Sequence, residues 1–285
     1  MKHFIRLTDY TKEELLKTFD IADSLQKGNY QNYLYNKTVV MFFPESSIRT
    51  RVTFEKGINL LGGQTILFPP ETLEKKEDIK DVIGYLNNWA DAIVVRHSNI
   101  DLLEKIAQYS KAPLINAMTD VNHPCEVLSD IYSFSKIRSD YLNDKYLFCG
   151  RNCNIGLAWK ELSDVMNLDF SQCCPKGFEM EDVIVENDIQ SAVCGKDIIC
   201  TDSLPKGILP DFEEYQITAE IMKKANEGAL LNPCPPFYRG EEVSVSAIDS
   251  KYFVGYEFKK HLLEVQQAIL INCLNVILIN CLNVI

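Results

Sequence analysis

The sequence predicts an α/β protein of two doubly wound, parallel-sheet domains, with a last helix returning to the first domain. Short β-branched apolar runs alternate with stretches whose apolar residues recur at helical spacing. Buried strands alternating with helices imply a parallel sheet covered on both faces. The alternation occurs twice, and 285 residues leave room for two domains of about 140 residues each.

In chain order, the first set of strands is expected at Thr38–Phe43, Thr65–Phe68, Ala92–Val95 and Pro113–Ile115. The second set is expected at Tyr146–Cys149, Asp182–Val185, Ile198–Thr201 and Ala229–Leu231. Phe54, Ile58 and Leu61 form a helical stripe that stops at Gly62-Gly63. His123 precedes a proline at a first helical position, and Val127, Ile131 and Phe134 continue as an i, i+4, i+7 stripe. That helix, Pro124 to Lys136, is expected to carry the chain from a domain of residues 1–135 into one of residues 136–260. Residues 261–285 then supply the closing helix and tail, the helix itself running from Phe258 to about Leu274. Ligands in such folds lie at the carboxyl ends of the strands.

Hydrophobic residues make up 46% of the chain and charged residues 24%, which excludes a disordered or low-complexity protein. Its 29 basic residues face 40 acidic ones, a net charge of −11 that repels phosphate backbones. Nucleic acid is therefore not an expected partner, whereas a small anion is acceptable where arginines cluster. The ten cysteines form no CxxC pair and several sit in apolar runs, so free thiols are expected rather than a zinc site or disulfide framework. The start, Met1 to Arg6, lacks a signal-peptide core, and the expected location is cytoplasmic. At the other end, Leu270–Ile277 recurs unchanged as Leu278–Ile285. The stretch from Ala268 is of marginal length for a membrane span, but its four asparagines argue against one.

Ser46-Ser47-Ile48-Arg49-Thr50-Arg51 follows the first strand and opens a helix. A hydroxyl-rich turn at a helix start offers unpaired N–H groups and a favourable dipole to an anion. Two arginines add bidentate donors for phosphate oxygens. An ordinary helix cap flanked by surface arginines would read the same way. No GxGxxG or GxxxxGK[ST] loop competes for a phosphate.

The segment Phe43 to Glu55 resembles the Ser-Thr-Arg-Thr-Arg signature of the aspartate/ornithine carbamoyltransferase family. Further matches follow in order: Lys75 to Asp81 resembles a mobile lysine loop, and Arg96-His97 a strand-end arginine. His123-Pro124-Cys125-Glu126 resembles His-Pro-Cys-Gln, Thr201-Asp202-Ser203 an acceptor-binding segment, and Asn232 to Pro236 the His-Cys-Leu-Pro segment. The resemblance implies the carbamoyltransferase fold and transfer of a carbamoyl group from carbamoyl phosphate to an amine, closer to the ornithine enzymes. It implies neither metal nor organic cofactor, no membrane partner, and a homotrimer.

By residue, the resemblance assigns carbamoyl phosphate to Ser47, Ile48, Arg49, Thr50, Arg96, His123 and Glu126, with Lys76 donated by a neighbouring subunit. The carbonyl oxygen gains charge as the amine attacks, and His123, Arg49 and Thr50 match the donors aimed at it. Asp202 and Cys234 match the pair that engages the attacking amine. Asn154, Ser203 and Lys206 complete the acceptor side. Each has a plainer alternative: His123 a helix cap, Cys234 a buried thiol, Asp202 a turn residue, the lysines a solvated face.

Several departures from the family pattern leave the carbamoyl-phosphate half better supported than the acceptor half. Glu126 stands for a glutamine, Ile48 for a threonine, Pro233 for a histidine, and Leu262 for an arginine of the closing helix, with Lys259 and Lys260 out of register. The loop Asp202 to Gly207 lacks the Ser-Met-Gly closure. Lys206, with donors only, would favour an acceptor bearing a carboxylate. These changes leave open which amine is the acceptor, which direction the reaction runs, and whether the chain is a weakened paralogue with a binding or regulatory role.

Overall fold

The computed structural model describes residues 2–28 and 32–275. The repeated octapeptide Leu278–Ile285 lies outside the described residues. Two parallel sheets form, each in its own compact unit. One unit gathers the N-terminal residues to Ile5, Glu13–Thr119 and the chain from Leu262 on; the other comprises Arg6–Lys12 and Asp120–His261.

In the first unit the order is α1 (Lys12–Gln26), β1 (Thr38–Phe42), α2 (Arg49–Leu60), β2 (Gln64–Phe68), α3 (Ile79–Leu86), β3 (Ala92–Arg96), α4 (Ile100–Tyr109) and β4 (Leu114–Met118). The sheet order β2-β1-β3-β4 reverses beside β1, so the turn after β1 opens at a topological switch point. Strands β1, β3 and β4 are buried along almost their whole length, as β-branched runs covered on both faces must be. Edge strand β2 alternates between half-buried and exposed. The closing helix α10 (Leu262–Cys273) returns to this sheet's helices as expected. Gln267 Nε2 donates to Gly57 O of α2 at 2.9 Å, and Asn272 Nδ2 to Thr18 Oγ1 of α1 at 3.2 Å. A Cβ at Gly57 would stand 2.9 Å from Gln267 Cγ, so this approach requires glycine.

The second unit runs α5 (Pro124–Ile137), β5 (Lys145–Cys149), α6 (Asn154–Met166), β6 (Asp169–Cys173), β7 (Ile184–Glu186), α7 (Ile189–Ala192), β8 (Ile198–Thr201), α8 (Ala219–Met222), β9 (Leu230–Pro233) and α9 (Val245–Ile248). Its sheet order is β7-β6-β5-β8-β9, all parallel. Helix α5 falls within this unit from its first residue, the compact units dividing at Asp120. Phe134 packs against Tyr146 and Trp159, ring centroids 6.1 and 6.5 Å away, which makes α5 part of this core.

Strand β6 was not among the expected strands. Its sequence, Asp-Phe-Ser-Gln-Cys, reads as polar, yet Ser171 and Gln172 are buried. The Gln172 amide donates to Gly150 O at 2.8 Å and accepts from Met180 N at 2.7 Å, so loop backbone satisfies the buried polar groups that hid the strand. The nine described cysteines are free thiols, all buried except Cys194. Among the described residues no helix is long and apolar enough to cross a membrane.

Candidate active site

In the first unit the turn after β1 delivers Ser47 and Thr50, both buried, to the start of α2. Arg96, last residue of β3, reaches them from the neighbouring strand: Nη1 donates to Ser47 Oγ at 3.2 Å and to Thr50 Oγ1 at 3.4 Å. A register shift between Val95 and Arg96 accompanies the strand's end. The hydroxyls and the guanidinium therefore converge at the N-terminal end of a 12-residue helix, where the dipole also favours an anion. Arg51 instead turns back along the helix to Glu55, Nε to Oε1 at 2.6 Å. Arg49 is exposed; its carbonyl accepts from Thr53 Oγ1 at 3.1 Å, while its guanidinium has no partner among the described residues.

The helix cap is not a serine. Ile48 occupies the cap position, 70% exposed, in a right-handed helical conformation and with no capping side-chain bond. Lys75 and Lys76 lie exposed in the loop between a 3-10 turn, Pro70–Glu74, and α3. His97, named at the sequence level only beside Arg96, and Glu74, not named there, anchor that loop: His97 Nδ1 accepts from Asn99 N at 3.0 Å, so Nε2 carries the proton and meets Glu74 Oε1 at 2.9 Å.

In the second unit His123 occupies the cap position of α5, is buried, and makes no side-chain capping bond. Glu126 and Asp130, four residues apart, lie on one face of α5. Both meet Lys259 from the 3-10 turn Tyr256–His261: Nζ donates to Glu126 Oε1 at 2.9 Å and to Asp130 Oδ1 at 2.6 Å. The second Asp130 oxygen accepts from Asn232 Nδ2 of β9 at 2.8 Å. Burial penalises the Lys259 ammonium, but Asp130 and Glu126 more than offset it and hold its pKa above the ordinary lysine value. Burial, joined by Glu126, pushes Asp130 up to about 6 although Lys259 pulls it down. With two carboxylates around one ammonium, an incoming proton goes to the carboxylates.

Asp202 follows β8 and is raised by burial, while Ser203 N and the Cys153 thiol donate to it. Burial and Asp202 together push Cys153 up to about 12. Cys234 follows β9 and its N–H donates to Thr201 O at 2.9 Å. Its thiol is driven well above the ordinary value by burial, then by Asp202 and Glu126, so it stays protonated at neutral pH. Asn154 opens α6 directly after Cys153. Lys206 is exposed at the start of the 3-10 segment Lys206–Tyr215. Leu262 is buried at the start of α10, which suits an apolar side chain there.

Glu242, in the matching segment Arg239 to Val243, had no role from the sequence. It is buried, Oε1 accepts from Tyr238 N at 2.8 Å, Oε2 has no partner among the described residues, and burial raises its carboxyl to about 7. Among the described residues no group of three or more His, Cys, Asp or Glu side chains is arranged to hold a metal ion.

Two family models match consecutive parts of the chain: the aspartate/ornithine carbamoyltransferase carbamoyl-P binding domain over residues 2–136 and the Asp/Orn binding domain over residues 143–273. The chain is 31% identical over 299 residues to ornithine carbamoyltransferase of Campylobacter jejuni subsp. doylei, covering 95% of this chain and 97% of that one. The solved ornithine carbamoyltransferase from Pyrococcus furiosus aligns with a TM-score of 0.90 at 26% identity, covering 97% of this chain and 98% of that one. A solved N-acetyl-L-ornithine transcarbamylase shares the fold at 22% identity, TM-score 0.86, covering 97% of this chain and 100% of that one. Both halves being matched in order, this chain belongs to the aspartate/ornithine carbamoyltransferase family and is an enzyme that transfers carbamoyl groups.

Proposed function

We propose that the enzyme moves the carbamoyl group of carbamoyl phosphate to the amine of an ornithine-like amino acid and releases phosphate. The observation that carries this reading is the Arg96 guanidinium held on the Ser47 and Thr50 hydroxyls at the start of α2. Residues 1–135 bind carbamoyl phosphate, residues 136–260 bind the acceptor, and α10 braces the first part; the end of the segment 261–285 lies outside the described residues. The phosphate is bound by Ser47, Arg49, Thr50 and Arg96, with the Ile48 backbone beside them. Lys76 reaches it from a neighbouring subunit of a homotrimer in the cytoplasm.

As the amine attacks the carbonyl carbon, its oxygen gains negative charge, and Arg49, Thr50 and His123 donate to it. Glu126, acceptor-only while ionised, receives an N–H of the carbamoyl NH2 group. The C–O bond to phosphate then breaks, and the amine proton leaves. Asp202 is the group suited to take or orient that proton, because burial raises its carboxyl. Cys234, protonated at neutral pH, acts as a weak donor and not as a thiolate base. Asn154, Ser203 and Lys206 hold the amino-acid end of the acceptor.

The test is formation of a ureido product from carbamoyl phosphate and a panel of amino acids and diamines, followed by mass spectrometry. Citrulline from ornithine, or another ureido amino acid from its amine, is the expected result. Phosphate release with no ureido product from any amine would overturn the reading.

A further inference from the structure

Glu126 presents a physical problem that the fold solves locally. Its side chain is only 8% exposed and it stands in the first turn of α5, three residues after His123. A carboxylate in such a place costs several kcal/mol unless it is paired, and it repels an incoming phosphate dianion. One turn further on, Asp130, 3% exposed, adds a second negative charge. Lys259 sits against both, 19% exposed, its ammonium within 2.9 Å of one carboxylate and 2.6 Å of the other. An ammonium has three donors; these bonds use two. Asn232 Nδ2 donates to the other Asp130 oxygen at 2.8 Å, so each oxygen of that carboxylate has a donor.

We propose that Lys259 is a positioning residue for carbamoyl phosphate: by neutralising and orienting Glu126, it allows a carboxylate to serve where the family pattern carries a glutamine amide. The inference rests on the assignment of Glu126 to carbamoyl phosphate made above. Lys259 acts through Glu126 and need not touch the substrate. Its influence on affinity therefore depends on the charge at position 126, and a purely structural lysine would lack that dependence.

The experiment is a double-substitution cycle on the full chain, titrating carbamoyl phosphate by calorimetry and measuring its KM and kcat. Lys259→Met is expected to weaken binding at least tenfold, with KM rising more than kcat falls. In the Glu126→Gln background the same substitution is expected to change binding less than threefold, because the charge at position 126 is already gone and Asp130 loses its ammonium in both backgrounds alike. Lys259→Arg keeps the charge and is expected to stay within threefold of the unsubstituted enzyme. Unchanged affinity in Lys259→Met overturns the inference, as does an equal loss in both backgrounds. Should Lys259→Met fail to fold, a tenfold loss in Lys259→Arg, or in the double variant against Glu126→Gln alone, overturns it. An unsubstituted chain that does not bind carbamoyl phosphate would overturn the function proposed above, and this inference with it.

Discussion

Arg49 stands exposed at the first residue of α2, one position before the buried Thr50 hydroxyl that Arg96 holds. With no protein partner among the described residues, its guanidinium is available to an anion. Replacing it by alanine removes charge-assisted bonds worth about 1.5–3 kcal/mol. Arg49→Ala should therefore weaken carbamoyl-phosphate binding roughly 10- to 100-fold in a calorimetric titration, and unchanged affinity would remove Arg49 from the site. The thiols give a second test. Cys194 is exposed, whereas burial, Asp202 and Glu126 keep Cys234 protonated at neutral pH. Site-resolved mass spectrometry after iodoacetamide at pH 7 should find Cys194 modified and Cys234 untouched in the folded enzyme; rapid modification of Cys234 would contradict its assignment as a weak donor.

Glu242 makes the pH test at the same scale. Its carboxyl is raised from an ordinary 4.5 to about 7 by burial, so the folded state disfavours the charged form. A raised carboxylate carries no penalty below its unfolded pKa. The penalty grows as pH rises from about 4.5 to about 7 and is complete above that. Glu242→Gln, which mimics the protonated form, should raise Tm at pH 8 relative to the unsubstituted enzyme and leave it nearly unchanged at pH 4. An equal shift at both would place the cause elsewhere.

At the scale of elements, the helix starts differ in kind. Asn99 caps α4, its Oδ1 accepting from Asp101 N at 2.8 Å and Leu102 N at 3.3 Å. Asn99→Ala should cost about 1 kcal/mol in urea unfolding. Ile48 caps α2 without a side-chain bond and in helical backbone geometry, which does not aim a short hydroxyl at the first-turn N–H groups. Ile48→Thr should therefore shift stability by less than about 0.5 kcal/mol; a gain near that of a full cap would show the turn rearranging. Most elements were legible because period and strand composition are local properties. Strand β6 was not, because its buried Gln172 is satisfied by backbone just after β5 and in the loop after β6, which no pattern within Asp169–Cys173 reveals.

For the whole molecule, the proposed trimer requires a solution mass three times the 32.5 kDa chain. Multi-angle light scattering at micromolar concentration should give that mass, and a monomer would remove the role given to Lys76. The acidic net charge of −11 makes local cations decisive. An anion is repelled at long range, so in the proposed site carbamoyl-phosphate affinity would rest on Arg96 and Arg49 at short range and not on the general field.

The sequence by itself determined the two α/β sets, the hydroxyl-rich turn after β1 and the family, since all three rest on residues close together in the chain or on ordered motifs. It also exposed the departures at Glu126 and Leu262. What it could not determine is how the first of these is tolerated. Lys259 lies 133 residues from Glu126 and 129 from Asp130, and read along its own segment it is a lysine out of register with an arginine position. Only the packing of the Tyr256–His261 turn against α5 brings that ammonium onto two buried carboxylates. Charge pairing across such a separation leaves no periodic trace; it is decided by which surfaces the folded chain buries together.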